Sequence, residues 1–150
     1  MAKDLKKVTS DAVNAALKQL ATKEFMKYVG DQIASDIKKR TKLGYGVATE
    51  GGPQEKLKPL SDNYKKYRKG KVASDTSPSK SNLTFSGDML NDLVVTVTDT
   101  KATIDLGSEL SRNKEKWQRE QGRVFFNISK TQISMLTSLI KKKLKEILGN

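Results

Sequence analysis

The stretch that decides the fold is NDLVVTVTDTKATIDLG, residues 91–107. Residues 93–98 are dense in β-branched side chains, which favours a strand, and residues 102–106 alternate apolar and polar side chains as a return strand does. Asp99, Thr100 and Lys101 supply the turn between them. Because an isolated hairpin is marginally stable in water, we expect this one to lie on helices or to join another sheet.

Upstream of the hairpin the pattern is helical. From Thr9 to Arg40 apolar residues recur every three or four positions, which predicts one buried face. A break near Ala21 leaves Thr22 free to cap a second helix. Gly30 is expected to be a weak point in that helix, since glycine has low helix propensity.

Downstream, the C-terminal part of the chain predicts a final helix. Ser129 followed by Gln132 matches a capping box, and the regular apolar stripe after it ends at Gly149. We therefore predict an α+β fold in a single domain, residues 1–150. Its long N- and C-terminal helices pack on a small antiparallel β-sheet, with extended loops.

Shorter helices are predicted between these elements. Ser61 can cap a helix over residues 62–68, and Ser86 can cap a brief turn that ends near Leu90. Residues 108–122 are charged and predicted to be helical around Trp117.

Two long irregular stretches interrupt the pattern, at about residues 44–60 and 70–84. The first contains turn-forming glycines and the second is polar and rich in serine. Loops of this length in a small domain are usually functional or gain order on binding. We expect both to reach neighbouring molecules.

Composition limits the chemistry. The 150-residue chain carries a net charge of +12, 35% hydrophobic and 6% aromatic residues, and neither cysteine nor histidine. Zinc sites built on imidazole or thiolate, Ser-His-Asp triads and Cys-His pairs are therefore excluded. Asp88, Asp92, Asp99 and Asp105 show no recognisable metal or acid–base spacing and are expected at caps and turns. We predict no enzyme activity, cofactor or metal.

No membrane segment is expected, since no stretch approaches 18 uninterrupted apolar residues. The N-terminus is too polar for a signal peptide. Both features predict a soluble protein made and used in a cytoplasm.

Basic residues are the main candidates for binding, because a large positive charge favours nucleic acid. Tyr64 and Tyr67 interleave one tract and could support contacts to phosphates. A solvated helix face, or contact with an acidic neighbouring subunit, explains the tract equally well. The candidate DNA- or neighbour-facing residues are Lys56, Lys58, Lys65, Lys66, Arg68, Lys69 and Lys71. Lys38, Lys39 and Arg40 form another tract, and the run Lys141–Lys143 is explained by the helix dipole at a helix end.

Several short motifs occur in an order that resembles the phage virion-morphogenesis, tail-completion and neck proteins, the head–tail connector families. The resemblance covers roughly residues 30 to 148. The motifs are LGYGV at 43–47, LKPLS at 57–61 with YKKYR at 64–68, TSPSKSNLT at 76–84, SGDML at 86–90 and QGRVFFNIS at 121–129.

This resemblance implies a structural virion protein without catalysis, assembled in the host cytoplasm and located at the head–tail junction. It implies a ring below the portal, most simply a hexamer, with a dodecamer also compatible. Double-stranded DNA would pass through the ring, and the portal or adaptor and the tail proteins would be its neighbours. Candidate assembly-loop residues are Tyr45, Tyr64, Tyr67, Pro78 and Arg123.

Two other functions remain open from the residues alone. The charge also suits a stand-alone basic nucleic-acid-binding protein, although recognition motifs of known reader folds are lacking. A carboxylate-dependent nuclease would need Asp88 and Asp92, and we expect no cleavage.

Overall fold

The computed structural model describes residues 14–71, 87–98 and 100–149, and within them the fold is α+β. Helices alternate with two antiparallel pairs of strands, β1–β2 and β3–β4. The elements are α1 (14–20), α2 (Lys23–Lys42), β1 (Tyr45–Gly46), β2 (Glu55–Lys56), α3 (Asp62–Arg68), α4 (Asp88–Asn91), β3 (Leu93–Val97), β4 (Ala102–Leu106), α5 (Glu109–Glu120) and α6 (Lys130–Leu148).

The hairpin forms as predicted. β3 and β4 pair antiparallel from Leu93 opposite Leu106 to Val97 opposite Ala102. The odd-numbered residues of β3 are partly buried and the even-numbered ones are exposed, so one face of the strand is exposed to solvent. Asp99, in the predicted turn, lies outside the described residues.

Helix α2 contacts both strands of the hairpin. The core of the described chain combines buried residues from α2, α4, β4 and the segment before α6. Its buried members are Val29, Ile33, Ile37, Met89, Leu90, Leu106 and Phe125.

Gly30 has a packing role that the sequence did not indicate. A Cβ atom at this position would overlap Cγ1 of Val95 on β3. Glycine therefore permits α2 to approach the hairpin closely, and its low helix propensity is offset by this contact.

Side-chain caps fix the starts of four helices in the described chain. The hydroxyl oxygens of Thr22, Ser61 and Ser129 accept hydrogen bonds from the backbone amides of Phe25, Tyr64 and Gln132. These three caps were predicted; the fourth, in which the Ser108 hydroxyl oxygen accepts from the Ser111 amide at the start of α5, was not. Ser86 lies outside the described residues, and the residue that precedes α4 is Gly87, in the left-handed conformation with φ of 86°.

Residues 44–60 are held within the chain by the segment 123–130. The Val47 amide donates to the Val124 carbonyl at 3.0 Å, and the Gly51 amide donates to the Ile128 carbonyl at 2.8 Å. The Lys130 amide in turn donates to the Gly52 carbonyl at 2.8 Å.

Apolar burial adds to these hydrogen bonds. Val47, Leu57 and Leu60 are buried, and β1 pairs with β2 inside the loop. The expectation that residues 44–60 extend away from the body and need a neighbour for order is therefore corrected. Most of the second stretch, including Pro78, lies outside the described residues.

Candidate nucleic-acid and assembly surface

Arg40 is the centre of a buried polar cluster. Its side chain is 3% exposed, although the sequence places it in a basic tract. The guanidinium donates to Oε1 of Gln132 at 2.7 Å and to the Phe125 carbonyl at 2.9 Å, and it also donates to the Asn127 carbonyl. Arg40 thus joins α2 to the segment before α6 and is removed from the candidate binding surface.

Burial lowers the pKa of Arg40 below its ordinary value, while Asp36 and Glu50 act in the opposite direction. The Asp36 carboxylate lies 3.8 Å from the guanidinium. Arginine remains protonated in proteins, so the cluster holds a buried positive charge that is satisfied mainly by neutral oxygens. Its Nε atom is buried and has no hydrogen-bond partner among the residues that the structure describes.

Arg123, a candidate assembly residue, holds the loop that carries part of the basic tract. Its Nε donates to the Lys58 carbonyl at 3.1 Å and its Nη2 donates to the Pro59 carbonyl at 3.0 Å. The segment before α6 therefore positions the entrance to α3. In the described chain Arg123 therefore makes contacts within the chain.

Helix α3 presents the aromatic part of the candidate surface. The rings of Tyr64 and Tyr67 stack with centroids 6.0 Å apart and an interplanar angle of 17°. Nζ of Lys71 lies 3.8 Å from the centroid of the Tyr67 ring. A cation over an exposed ring beside a second ring is an arrangement that can accept a nucleic-acid base or another planar group.

Arg68 differs from its basic neighbours because it is only 2% exposed. Its guanidinium lies 5.9 Å from the Tyr64 ring centroid. Burial lowers the pKa of Arg68, and Tyr64 acts against that shift. In the single chain Arg68 supports the Tyr64 ring from inside and does not face outward.

The remaining lysines of the predicted tract divide by exposure. Lys65 is half-buried and pairs with Asp62 at 3.3 Å across one turn of α3. Tyr45 is half-buried in β1, directly opposite Lys56. The exposed lysines of the tract are Lys56, Lys58, Lys66, Lys69 and Lys71.

A cleft of about 810 Å³ lies between α3, α5 and the start of α4. Tyr64, Arg68 and Arg123 form part of its lining. Lys114 and Trp117 of α5 also line it, and neither was predicted as a site residue. Because these two residues are far from α3 in the sequence, the sequence does not indicate that they share a cleft with it.

Helix α5 also leaves large apolar side chains in solvent. Leu110 is 64% exposed and Trp117 is 51% exposed. Their spacing of seven residues places them on one face of the helix. Exposed aromatic and aliphatic side chains beside polar ones are typical of interaction sites.

Two of the carboxylates considered for catalysis accept hydrogen bonds from the backbone of the described chain: Oδ1 of Asp105 accepts from the Leu106 amide at 2.7 Å, and Asp92 contacts Ser108. Oδ2 of Asp92 accepts hydrogen bonds from the Ser108 amide at 2.9 Å and from the Ser108 hydroxyl at 2.6 Å. These hydrogen bonds lower the pKa of Asp92. Among residues 14–71, 87–98 and 100–149, no cluster of three acidic side chains suits a metal ion.

None of the helices in the described segments is long and apolar enough to cross a membrane.

Comparison with known proteins returned no match: no family model, curated protein or solved structure is significantly similar to this chain.

Proposed function

We propose that this chain is a structural subunit of a tailed-phage particle and acts at the head–tail junction. In this proposal, long helices at both ends of the chain pack on the small antiparallel sheet as one unit. Copies of that unit form a ring, with a hexamer preferred, between the portal or adaptor and the tail proteins. The duplex DNA passes through the ring.

The observation that carries the proposal is the exposed apolar face of α5 beside the basic surface of α3. Leu110 and Trp117 offer apolar contact area for a protein neighbour. Lys66, Lys69 and Lys71 offer positive charge within the same part of the molecule. A ring subunit needs both properties, because one surface contacts its neighbour and another tolerates the DNA phosphates.

The internal contacts of residues 44–60 change how this chain would contact its neighbours. Since the segment 123–130 already holds this loop, we propose that the unit docks as a preformed surface around α3 and α5. Docking of a preformed surface loses less conformational entropy than ordering of a long arm. The order of short motifs along residues 30–148 supports the phage assignment.

Genetic removal of the chain from a phage that encodes it tests the proposal. We expect filled heads and complete tails that remain separate, and joining restored when the purified chain is added to the extract. Normal particles without the chain, or a defect in head or tail formation alone, would contradict a junction role.

A stand-alone nucleic-acid-binding function is the second candidate. The stacked Tyr64 and Tyr67 rings with Lys71 over Tyr67 favour it. It predicts that the purified monomer binds duplex DNA with an affinity that falls steeply with salt. Replacing Lys66, Lys69 and Lys71 with glutamine should then reduce the salt slope by about one per lost phosphate contact.

A further inference from the structure

The cleft between α3, α5 and the start of α4 has an aromatic side chain on each of the two longer helices that border it. Tyr64 of α3 and Trp117 of α5 both line the cleft. Tyr64 is 38% exposed and Trp117 is 51% exposed, so both residues present ring surface to the solvent. Aromatic side chains that line an open cleft are typical of a site that binds a ligand.

The lining of this cleft is also rich in positive charge. The cationic side chains among its described lining residues are Lys58, Arg68, Lys114 and Arg123. Asp88 is the one carboxylate among those described residues. Lys58 and Lys114 are exposed, whereas Arg68 is buried near the Tyr64 ring. Because the cations outnumber the carboxylate on the cleft's own surface, the cleft favours an anionic ligand.

Contacts within the chain hold the borders of the cleft in place. Nη2 of Arg123 donates to the Pro59 carbonyl at 3.0 Å, just before α3. Oδ2 of Asp92, directly after α4, accepts from the Ser108 amide at 2.9 Å, directly before α5. The cleft volume of about 810 Å³ lies within the range of about 300–1,000 Å³ that is usual for ligand sites. The site is therefore preformed in the single chain and large enough for a small aromatic anion.

A nucleotide joins the two chemistries that this cleft offers. Its base has a planar face on which aromatic side chains stack, and its phosphate carries the negative charge that lysines bind. In a duplex the faces of the bases are stacked on one another, so a side chain can stack only on a base that leaves the stack or is unpaired. The two rings therefore favour an unpaired nucleotide over a duplex.

The surface of α3 continues the same chemistry beyond the cleft. The Tyr67 ring stacks on the Tyr64 ring with centroids 6.0 Å apart. Nζ of Lys71 lies 3.8 Å from the centroid of the Tyr67 ring. Alternating rings and cations along one surface suit successive nucleotides of a strand, whereas a free nucleotide would use the cleft alone.

We propose that the cleft between α3 and α5 binds an unpaired nucleotide of a single-stranded nucleic acid. The base packs on Tyr64 and Trp117, and the adjoining phosphates lie at Lys58 and Lys114. The next nucleotides of the strand follow α3 towards Tyr67. This inference rests on the cleft and does not depend on the junction role, in which the DNA is a duplex.

Trp117 is the one tryptophan of the chain, so intrinsic tryptophan fluorescence reports on the cleft directly. The full-length chain is titrated at one salt concentration with three probes. They are a mixed-sequence single strand of about 12 nucleotides, the duplex of the same sequence, and thymidine monophosphate. We expect the single strand to quench the fluorescence of Trp117 saturably and to bind at least about tenfold more tightly than the duplex.

Substitutions on α5 separate stacking from general attraction. Trp117→Ala should weaken binding of a labelled single strand about tenfold in fluorescence anisotropy, and Trp117→Phe should retain most of the affinity, because phenylalanine still stacks on a base. Leu110→Ser is the matched control, since it removes an exposed apolar side chain of the same helix that does not line the cleft. It should leave the affinity within about twofold.

Substitutions of lysine locate the phosphates. Lys58→Gln/Lys114→Gln should weaken the single strand about tenfold and lower the salt slope by about 0.7 for each lysine that contacts a phosphate. Lys141→Gln/Lys145→Gln on α6 removes the same charge away from the cleft and should leave the affinity within about twofold. Equal losses in the two double variants would contradict binding in the cleft.

Four further results would overturn the proposal. They are equal affinity for the single strand and the duplex, binding that leaves the fluorescence of Trp117 unchanged, equal losses in Trp117→Ala and Leu110→Ser, and binding of thymidine monophosphate as tight as that of the strand. A junction defect in phage that lack the chain could persist in each case. Strand binding could equally persist where that defect is absent, so the two proposals fail separately.

Discussion

The Arg40 guanidinium donates a 2.7 Å hydrogen bond to Oε1 of Gln132, which lies 92 residues further along the chain. The same oxygen accepts from the Ser129 amide at 2.8 Å, so it is shared between α2 and the cap of α6. Nε2 of Gln132 donates back to the Ile33 carbonyl at 3.3 Å. This cluster therefore fixes α6, α2 and the segment 123–130 relative to one another.

We expect Arg40→Met to destabilise the chain by about 3 kcal/mol, because buried carbonyl and amide oxygens lose their charged donor. Chemical denaturation monitored by circular dichroism measures the loss. Lys39→Met is the matched control: it removes a positive charge from the exposed neighbouring position and should change stability by less than about 0.5 kcal/mol. Equal effects at the two positions would contradict a buried role for Arg40.

Gly30→Ala should destabilise the fold by about 1–2 kcal/mol, because the cost of overlap with Val95 exceeds the gain in helix propensity. Val95→Ala opens space at the contact. In that background Gly30→Ala should cost less, or even stabilise, and a double-mutant cycle measures the coupling. Additive effects would mean that α2 does not approach β3 at this point.

Ser129→Ala removes the cap of α6 and should cost about 1–2 kcal/mol in unfolding free energy. Ser129 is fully buried, so the amide of Gln132 would not regain a water partner easily. Ser138→Ala, at an exposed position within the same helix, serves as the control and should be neutral or slightly stabilising. Thermal unfolding of both variants distinguishes a cap effect from a propensity effect.

Local signals predicted much of this fold, and distant contacts account for the rest. The caps at Thr22, Ser61 and Ser129 and the β3–β4 hairpin depend on residues within a few positions of each other, so they can be read from short segments. Arg40 looked like part of a solvated basic tract because its acceptors are 85 to 92 residues away.

In the candidate site, too, neighbouring residues were predicted and residues brought together by the fold were not. The lysines and tyrosines of α3 are adjacent in sequence and were predicted together. Trp117 and Lys114 reach their cleft only through the fold, and no local pattern distinguishes them from an ordinary charged helix. The order of residues 44–60 was missed because their partners, residues 123–130, lie far along the chain.

The Asp92 contact makes stability depend on pH. Its pKa is lowered in the folded chain by the hydrogen bonds from Ser108, so the ionised form stabilises the fold above the ordinary aspartate pKa of about 3.9. This contribution is lost as pH falls through the lower folded value. Asp92→Asn should therefore be less stable than the parent at pH 7, and the two stability curves should converge in acid.

Denaturation curves collected from pH 7 to about pH 2 test this expectation, with the exposed Glu120→Gln as a control for the loss of one carboxylate. A constant difference between Asp92→Asn and the parent at every pH would show that ionisation is not the cause.

The exposed pair on α5 should matter for assembly more than for folding. Leu110→Ser and Trp117→Ser remove apolar area that is already in solvent, so each should change stability by less than about 0.5 kcal/mol. Under the proposed ring, each should weaken association between subunits by about 1–2 kcal/mol or more, as aromatic anchors do at interfaces. Sedimentation velocity over a concentration series measures association, and unchanged association would remove α5 from the interface.

Electron cryomicroscopy of phage particles assembled in cells that produce this chain tests the central claim most directly. Our account predicts a ring of density at the junction of head and tail into which α2, α6 and the β3–β4 hairpin fit, with the α3 lysines nearer the DNA than the α6 stripe. Purified particles that lack the chain, or density for it only in the head shell or the distal tail, would contradict the account.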